Sequence, residues 1–238
     1  GRVEHIDESY KTFKQLRGFS MATGTGDGGD IDYEDPTPIH LVKMEPTVFS
    51  KGVKFTPQMK YTDQFATVSG FMGQIAQAFV HRKNQTGTDL PNLGFTSTTM
   101  GANGETLFSA THDMGGVTFS NLLTGALSPN SAKAGLIAAG NQKSAQNEPM
   151  PYTKNMLLMG PPDLTPTATE IIKSLQVANS ANWNTNEYLK TRLEWYEGHY
   201  FTSTTAWFMR AMETKALGTV FVNQMPFGVV QLPQLEDN

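Results

Sequence analysis

Three short stretches hold the residue types that chemistry needs. In "LFSATHD", residues 107–113, His112 stands beside Asp113 with Ser109 three positions back, the types found in a nucleophile, base and orienting carboxylate. Neighbours in sequence do not make a triad, whose members must converge in space on an oxyanion hole. In "RLEWYEGHY", residues 192–200, Glu194, Glu197 and His199 offer two carboxylates for acid and base work. On a strand, however, Glu194 and Glu197 face opposite ways, so a solvated strand end is the favoured reading. The third stretch, "MATGTGDGGDIDYEDP", residues 21–36, combines a formal G-x-G-x-x-G from Gly24 to Gly29 with Asp27, Asp30, Asp32, Glu34 and Asp35.

That glycine pattern cradles phosphate only between a hydrophobic strand and a helix N-terminus. Here the downstream residues are acidic and carry Pro36 and Pro38, which repel phosphate and stop a helix. The carboxylates are hard calcium ligands, but their spacing misses the D-x-[DN]-x-[DN]-G loop with its distal Glu. A long solvated loop is favoured over either site. The chain has no G-x-S-x-G elbow, no H-E-x-x-H pair and no Walker loop, and His5, His40, His81, His112 and His199 are too scattered for a two-histidine metal face. No cofactor and no metal are expected.

Composition narrows the classes further. The 238 residues are 38% hydrophobic, enough for a sizeable core, and contain no cysteine. Disulfides, thiolate metal sites and a cysteine nucleophile are thereby excluded. The net charge of −4 gives no basic field to hold nucleic acid through counterion release. No apolar run approaches the roughly 18 residues that span a bilayer. The first residue, Gly1, is expected to mark processing or a part of a longer product.

The elements that would position these residues follow from patterning. "SYKTFKQLRGF" before the acidic loop and "IHLVKMEPTVFSKGVKFTPQM" after it read as extended chain and pair as one long hairpin over about residues 17–56, with the loop at its tip. A two-stranded hairpin is marginal alone in water and needs something to lie on. Residues 62–85 predict a long amphipathic helix carrying Phe65, Val68, Met72, Ile75, Ala76 and Phe79, followed by a polar stretch, Thr86–Gly104, and then short strands and turns. Ser128 caps a helix with Pro129 in its first position. "NMLLMGPPDL" predicts a buried strand, and Thr165 is expected to cap a helix containing Pro166, Ile171, Ile172 and Leu175. An Asn-rich loop, residues 178–187, precedes strand candidates "LKTRLEWY", "TAWFMRAM" and "TVFVNQMPF", giving a mixed α/β second half.

In order, "LFSATHDMGGVTFSNLLTGALS", a helix with "NQK", and "NMLLMGPPDLTPTATEIIKS" resemble the major head proteins of Mu-type tailed bacteriophages. "GDIDYEDP" is similar to that family's acidic "YDDP" loop, "VFSKGVKFTPQM" to its following strand, the 62–85 helix to its central helix and "TAWFMRA" to its "NAWFL" strand. Met159 and Gly160 stand where the family usually has Val before the paired prolines, Lys60 to Asp63 replace its usual acidic pair, and residues 84–106 depart from its pattern. The resemblance spans about Gly18 to Phe227. It implies an α+β Hong Kong 97-type capsid fold with four parts: residues 1–16 as the remnant of an N-terminal arm, 17–60 as an extended loop, 61–120 with 216–238 as a peripheral domain on a spine helix, and 121–215 as an axial domain.

It also implies a structural, non-enzymatic role. The major capsid subunit would assemble with copies of itself into hexamers and pentamers of an icosahedral head around double-stranded DNA, in the virion, after assembly in the host bacterial cytoplasm. Scaffold, portal and decoration proteins are the implied further partners, with no membrane. Contacts between subunits would come from Asp27, Asp30, Asp32, Tyr33, Glu34 and Asp35 on the extended loop and from Asn182, Trp183 and Asn184 on the axial loop. Lysine is absent from the hairpin tip, so no covalent cross-link is expected there. Two competing readings have distinct signatures: an α/β hydrolase or metal-dependent enzyme needs the His112/Asp113 or Glu194/Glu197/His199 groups converging in a cleft, and a calcium-binding module needs calcium-dependent stability.

Overall fold

The computed structural model describes residues 2–5, 9–22, 30–31, 33–35, 37–54, 56–62, 67–98, 104–113, 115–149, 155–174, 186–212 and 220–223, with side chains left aside at 2–5, 15, 40, 60, 67–69 and 220–223. The chain is mixed helix and sheet, with β1 (Arg2–His5) paired in parallel with β9 (Val220–Asn223). β2 (Lys11–Leu16) and β3 (Pro38–Met44) form the antiparallel ribbon that the sequence predicts. The ribbon takes in residues 11–16, part of the "SYKTFKQLRGF" segment, which the resemblance assigns to the remnant of an N-terminal arm. β3 stops at Met44, and residues 45–54 belong to no strand although they read as strand-like. Pro46 has no N–H to give a ladder, which fits an end two residues earlier.

A short helix, α1 (Pro57–Tyr61), starts where the Thr56 hydroxyl accepts the Met59 amide at 3.2 Å, and leads to α2 (Thr67–Leu93). Residues 63–66, where the long helix was expected to begin, lie outside the described residues. α2 runs eight residues beyond the expected end at Gln85, through the Gly- and Thr-rich stretch and Pro91. Side chains support this extension: the Thr86 hydroxyl donates to the Arg82 carbonyl at 2.9 Å and that of Thr88 to the Asn84 carbonyl at 3.1 Å. Pro91 costs little so near the helix end, where few turns remain to be broken.

The core lies in the second half. A three-stranded sheet has β6 (Met156–Gly160) at its centre, parallel to β7 (Leu193–Glu197) and antiparallel to β8 (Phe208–Ala211). α3 (Pro129–Gly140) begins at a capping box in which Ser128 and Ser131 satisfy each other's backbone amides, with Pro129 at the first turn as expected. It buries Ala132 and Leu136 against Leu158, Ile171, Leu189 and Leu193. Gly135 permits the approach: a Cβ there would sit 2.5 Å from Met209 Sδ.

α4 (Thr165–Lys173) and α5 (Glu187–Arg192) cover the same sheet. Thr165 is not the cap of α4. Its backbone is already helical, Leu164 takes the cap position after a 3₁₀ turn at Pro162–Leu164, and the Thr165 hydroxyl instead donates to Glu197 at 2.6 Å. The segment "LKTRLEWY" begins helical rather than extended, since Leu, Lys and Arg are good helix formers and Leu189 gains burial in the core. β4 (His112–Asp113) and β5 (Thr118–Phe119) complete the elements as a small hairpin.

Candidate assembly surfaces

Every buried hydrophobic residue among the described residues lies between Leu127 and Phe208. Among the described residues, large apolar and aromatic side chains left in solvent are distributed the other way: thirteen of 22 lie between Tyr10 and Tyr61. Tyr33 is 85% exposed, Val48 80% and Tyr61 89%. The first sixty residues thus carry apolar surface that their own subunit does not cover.

The ribbon has two unlike faces. Opposite residues in the ladder share a face, which places Lys11, Phe13, Val42 and Met44 on one side and Thr12, Lys14, Leu41 and Lys43 on the other. Phe13 and Val42 are half-buried, whereas Thr12, Lys14, Leu41 and Lys43 are all exposed. Lys43 lies 2.7 Å from Glu45 and over the Tyr10 ring. The Glu45 carboxylate raises the lysine above its ordinary pKa and is itself lowered by the ammonium.

The acidic loop is closed at its neck. The Arg17 amide donates to the Thr37 carbonyl at 2.8 Å, and Ser20 donates to Glu34 through both its amide, at 2.8 Å, and its hydroxyl. The hydroxyl bond and then the amide bond hold the Glu34 carboxyl below its usual range. Both Glu34 oxygens are therefore engaged within the chain, while Asp30, Tyr33 and Asp35 stand exposed near them. Asp27 and Asp32 lie outside the described residues, as does the Gly24–Gly29 pattern. Asn182, Trp183 and Asn184 do too. The described base of their loop is Asn186, a buried side chain whose amide donates to the Ile171 carbonyl at 2.5 Å and to Ser174 at 3.3 Å, closing the end of α4.

Sequence reasoning missed the straps that fix the ribbon and α2 to the sheet. The Arg82 guanidinium lies 4.5 Å over the Phe49 ring, pinning the segment after the ribbon to α2. Asn92 donates to the Tyr200 carbonyl at 2.9 Å and accepts the Thr202 amide at 3.2 Å, and His81 bonds the Tyr200 hydroxyl. Phe95, Phe108, Phe201 and Phe208 pack in a cluster with ring centres 4.9 to 5.9 Å apart, Phe208 stacking on Phe108 and Phe201 and Phe95 tilted against Phe108 and Phe208. The bonds of His81 and Asn92 join residues 108 to 119 positions apart and leave no local signature.

The enzyme-like groups have structural employment. His112 faces the Glu105 carboxylate at 2.9 Å and the Leu107 carbonyl at 3.1 Å, and stacks on Phe119. Ser109 accepts the Thr111 amide, and Asp113 accepts the Gly116 amide at 2.7 Å to close a turn at two positive-φ glycines. None of the three addresses another. Glu194 is exposed, while Glu197 accepts from Thr165 and lies 3.7 Å from His199. No group of three or more metal-ligating residues occurs among the described residues, and no described helix is long and apolar enough to cross a membrane.

A family model described as phage capsid protein matches residues 42–237. The chain belongs to the phage capsid protein family. As a member, the protein is a structural capsid component of the virion. Among solved structures, this capsid protein is similar to the capsid of bacteriophage JBD30, which is decorated with minor capsid protein trimers. The TM-score is 0.64 at 14% identity, over 84% of this chain and 88% of that one. No curated protein matches it significantly.

Proposed function

We propose that this capsid protein is the major head subunit of a tailed phage of the Mu type, assembling as hexamers and pentamers into a closed icosahedral shell around double-stranded DNA. The observation that carries the reading is the one-sided distribution of exposed apolar side chains over Tyr10 to Tyr61. A ribbon that leaves one face and its loop bare lies across a neighbouring subunit, as the extended loop of a Hong Kong 97-type fold. Residues 61–120 with 216–238 form the peripheral domain and 121–215 the axial domain. Obligate contacts of this kind bury upwards of roughly 2,000 Å² each.

Asp27, Asp30, Asp32, Tyr33 and Asp35 supply loop contacts to the neighbour, with Glu34 bracing the loop from inside. Asn182, Trp183 and Asn184 meet symmetry mates at the capsomer axis. Scaffold, portal and decoration proteins are the further partners, the last by analogy with the trimers on the JBD30 capsid. Assembly takes place in the host cytoplasm. The net negative charge suits a wall that must release DNA. Sedimentation of the expressed chain, followed by electron microscopy of the fastest fraction, tests the reading. Megadalton icosahedral particles are expected, and a stable monomer near 26 kDa at high concentration overturns it.

A further inference from the structure

The charges of the ribbon are segregated along its length. Residues 18–37 carry five carboxylates and no Lys or Arg. The flanking residues 9–17 and 38–54 carry Lys11, Lys14, Arg17, Lys43, Lys51 and Lys54 against one carboxylate, Glu45. Arg17 stands at the neck and acts on Glu34, while Lys14, Lys11 and Lys43 lie further along the ladder. The loop closes at Arg17 and Thr37, and the ladder then runs on to the Lys11–Met44 pair. At ~3.4 Å per residue Lys14 is about 10 Å and the far end of that ladder about 20 Å from the neck, against a screening length of ~8 Å at physiological salt. Lys14 makes no hydrogen bond or ion pair among the described residues, and neither do Asp30 and Asp35.

Lys14 and Lys43 stand together with Thr12 and Leu41 on the sheet face that the subunit leaves exposed. We propose that this cationic face of the β2–β3 ribbon is the docking surface for the acidic loop of a second copy of the same chain. The inference rests on the capsid reading and names the surface that receives the loop. Opposite charges along one ribbon let the acidic loop of one copy meet the cationic face of another. Leu41 beside the two lysines gives the incoming Ile31 and Tyr33, both exposed, an apolar patch to cover.

A charge swap tests this. One variant reverses the face, Lys14→Glu with Lys43→Glu. A second reverses the loop, Asp30→Lys with Asp35→Lys. A third carries all four changes. Circular dichroism melting first establishes that each is folded, as expected for substitutions at exposed positions. Each single reversal is expected to raise the critical concentration for shell formation about tenfold or more, and the fourfold variant to return to within about threefold of the natural chain. In the natural chain, shell formation is expected to weaken as salt rises. Natural chains that form shells, with reversals that assemble equally well or a fourfold variant no better than the worse single reversal, overturn this inference and leave the capsid reading standing. If natural chains form no shell, the capsid reading fails and this inference fails with it.

Discussion

Glu34 shows how a single side chain braces a loop from within its own subunit. Ser20 holds its carboxyl below the ordinary range, so the ionised form is favoured in the folded loop. The neck is therefore fully braced above the ordinary carboxylate range and loosens as pH falls through the lowered folded value. Ser20→Ala is expected to return the Glu34 titration, followed by carbon-detected NMR, toward the ordinary value, and an unchanged titration would contradict the assignment. Asn186 is the other decisive residue. Its amide donors face two carbonyls, so Asn186→Asp places an acceptor against acceptors in a buried site. A loss of about 1 to 3 kcal/mol in denaturant unfolding is expected. Gly160→Ala puts a Cβ 2.8 Å from the Trp195 ring, which is itself pinned by its N–H bond to Thr165, and is expected to cost a similar amount.

At the scale of elements, capping and patterning explain what was legible in the sequence. Ser128 and Pro129 announced α3 because a cap and its first turn are adjacent in sequence, and Ser128→Ala is expected to lower stability by about 1 kcal/mol in thermal unfolding. "NMLLMG" was legible as β6 because a central strand buried on both faces reads as an unbroken apolar run. The later part of α2 was not legible, since Gly87 and Pro91 are local breakers and the bonds that hold Asn92 come from residues 200 and 202. α5 was missed for the same reason, as Leu189 is helical because of a pocket formed by distant residues. The acidic loop was legible as a loop, but its neck was not, because Ser20 and Glu34 are fourteen residues apart and neither belongs to a motif. Asn92→Ala removes both bonds to the 200–202 loop. It is expected to raise amide exchange at Thr202 at least about tenfold relative to β6, and unchanged exchange would show that the aromatic cluster alone holds that loop.

At the scale of the molecule, one half builds a core and the other half offers surface. Buried apolar side chains cluster around β6, while exposed ones cluster on the ribbon and the segment that leads to α1. For an isolated protein this is a poor solution, since uncovered apolar area invites aggregation. For a subunit of a closed shell it is economical, because the stability missing from each monomer returns at every interface. The measurement that tests this most directly is an electron cryomicroscopy map of particles formed by the expressed chain. The β2–β3 ribbon is expected to lie across an adjacent subunit, with Leu16, Phe19, Ile31 and Tyr33 buried there. A map in which the ribbon folds back on its own subunit, with those side chains still in solvent, would contradict it.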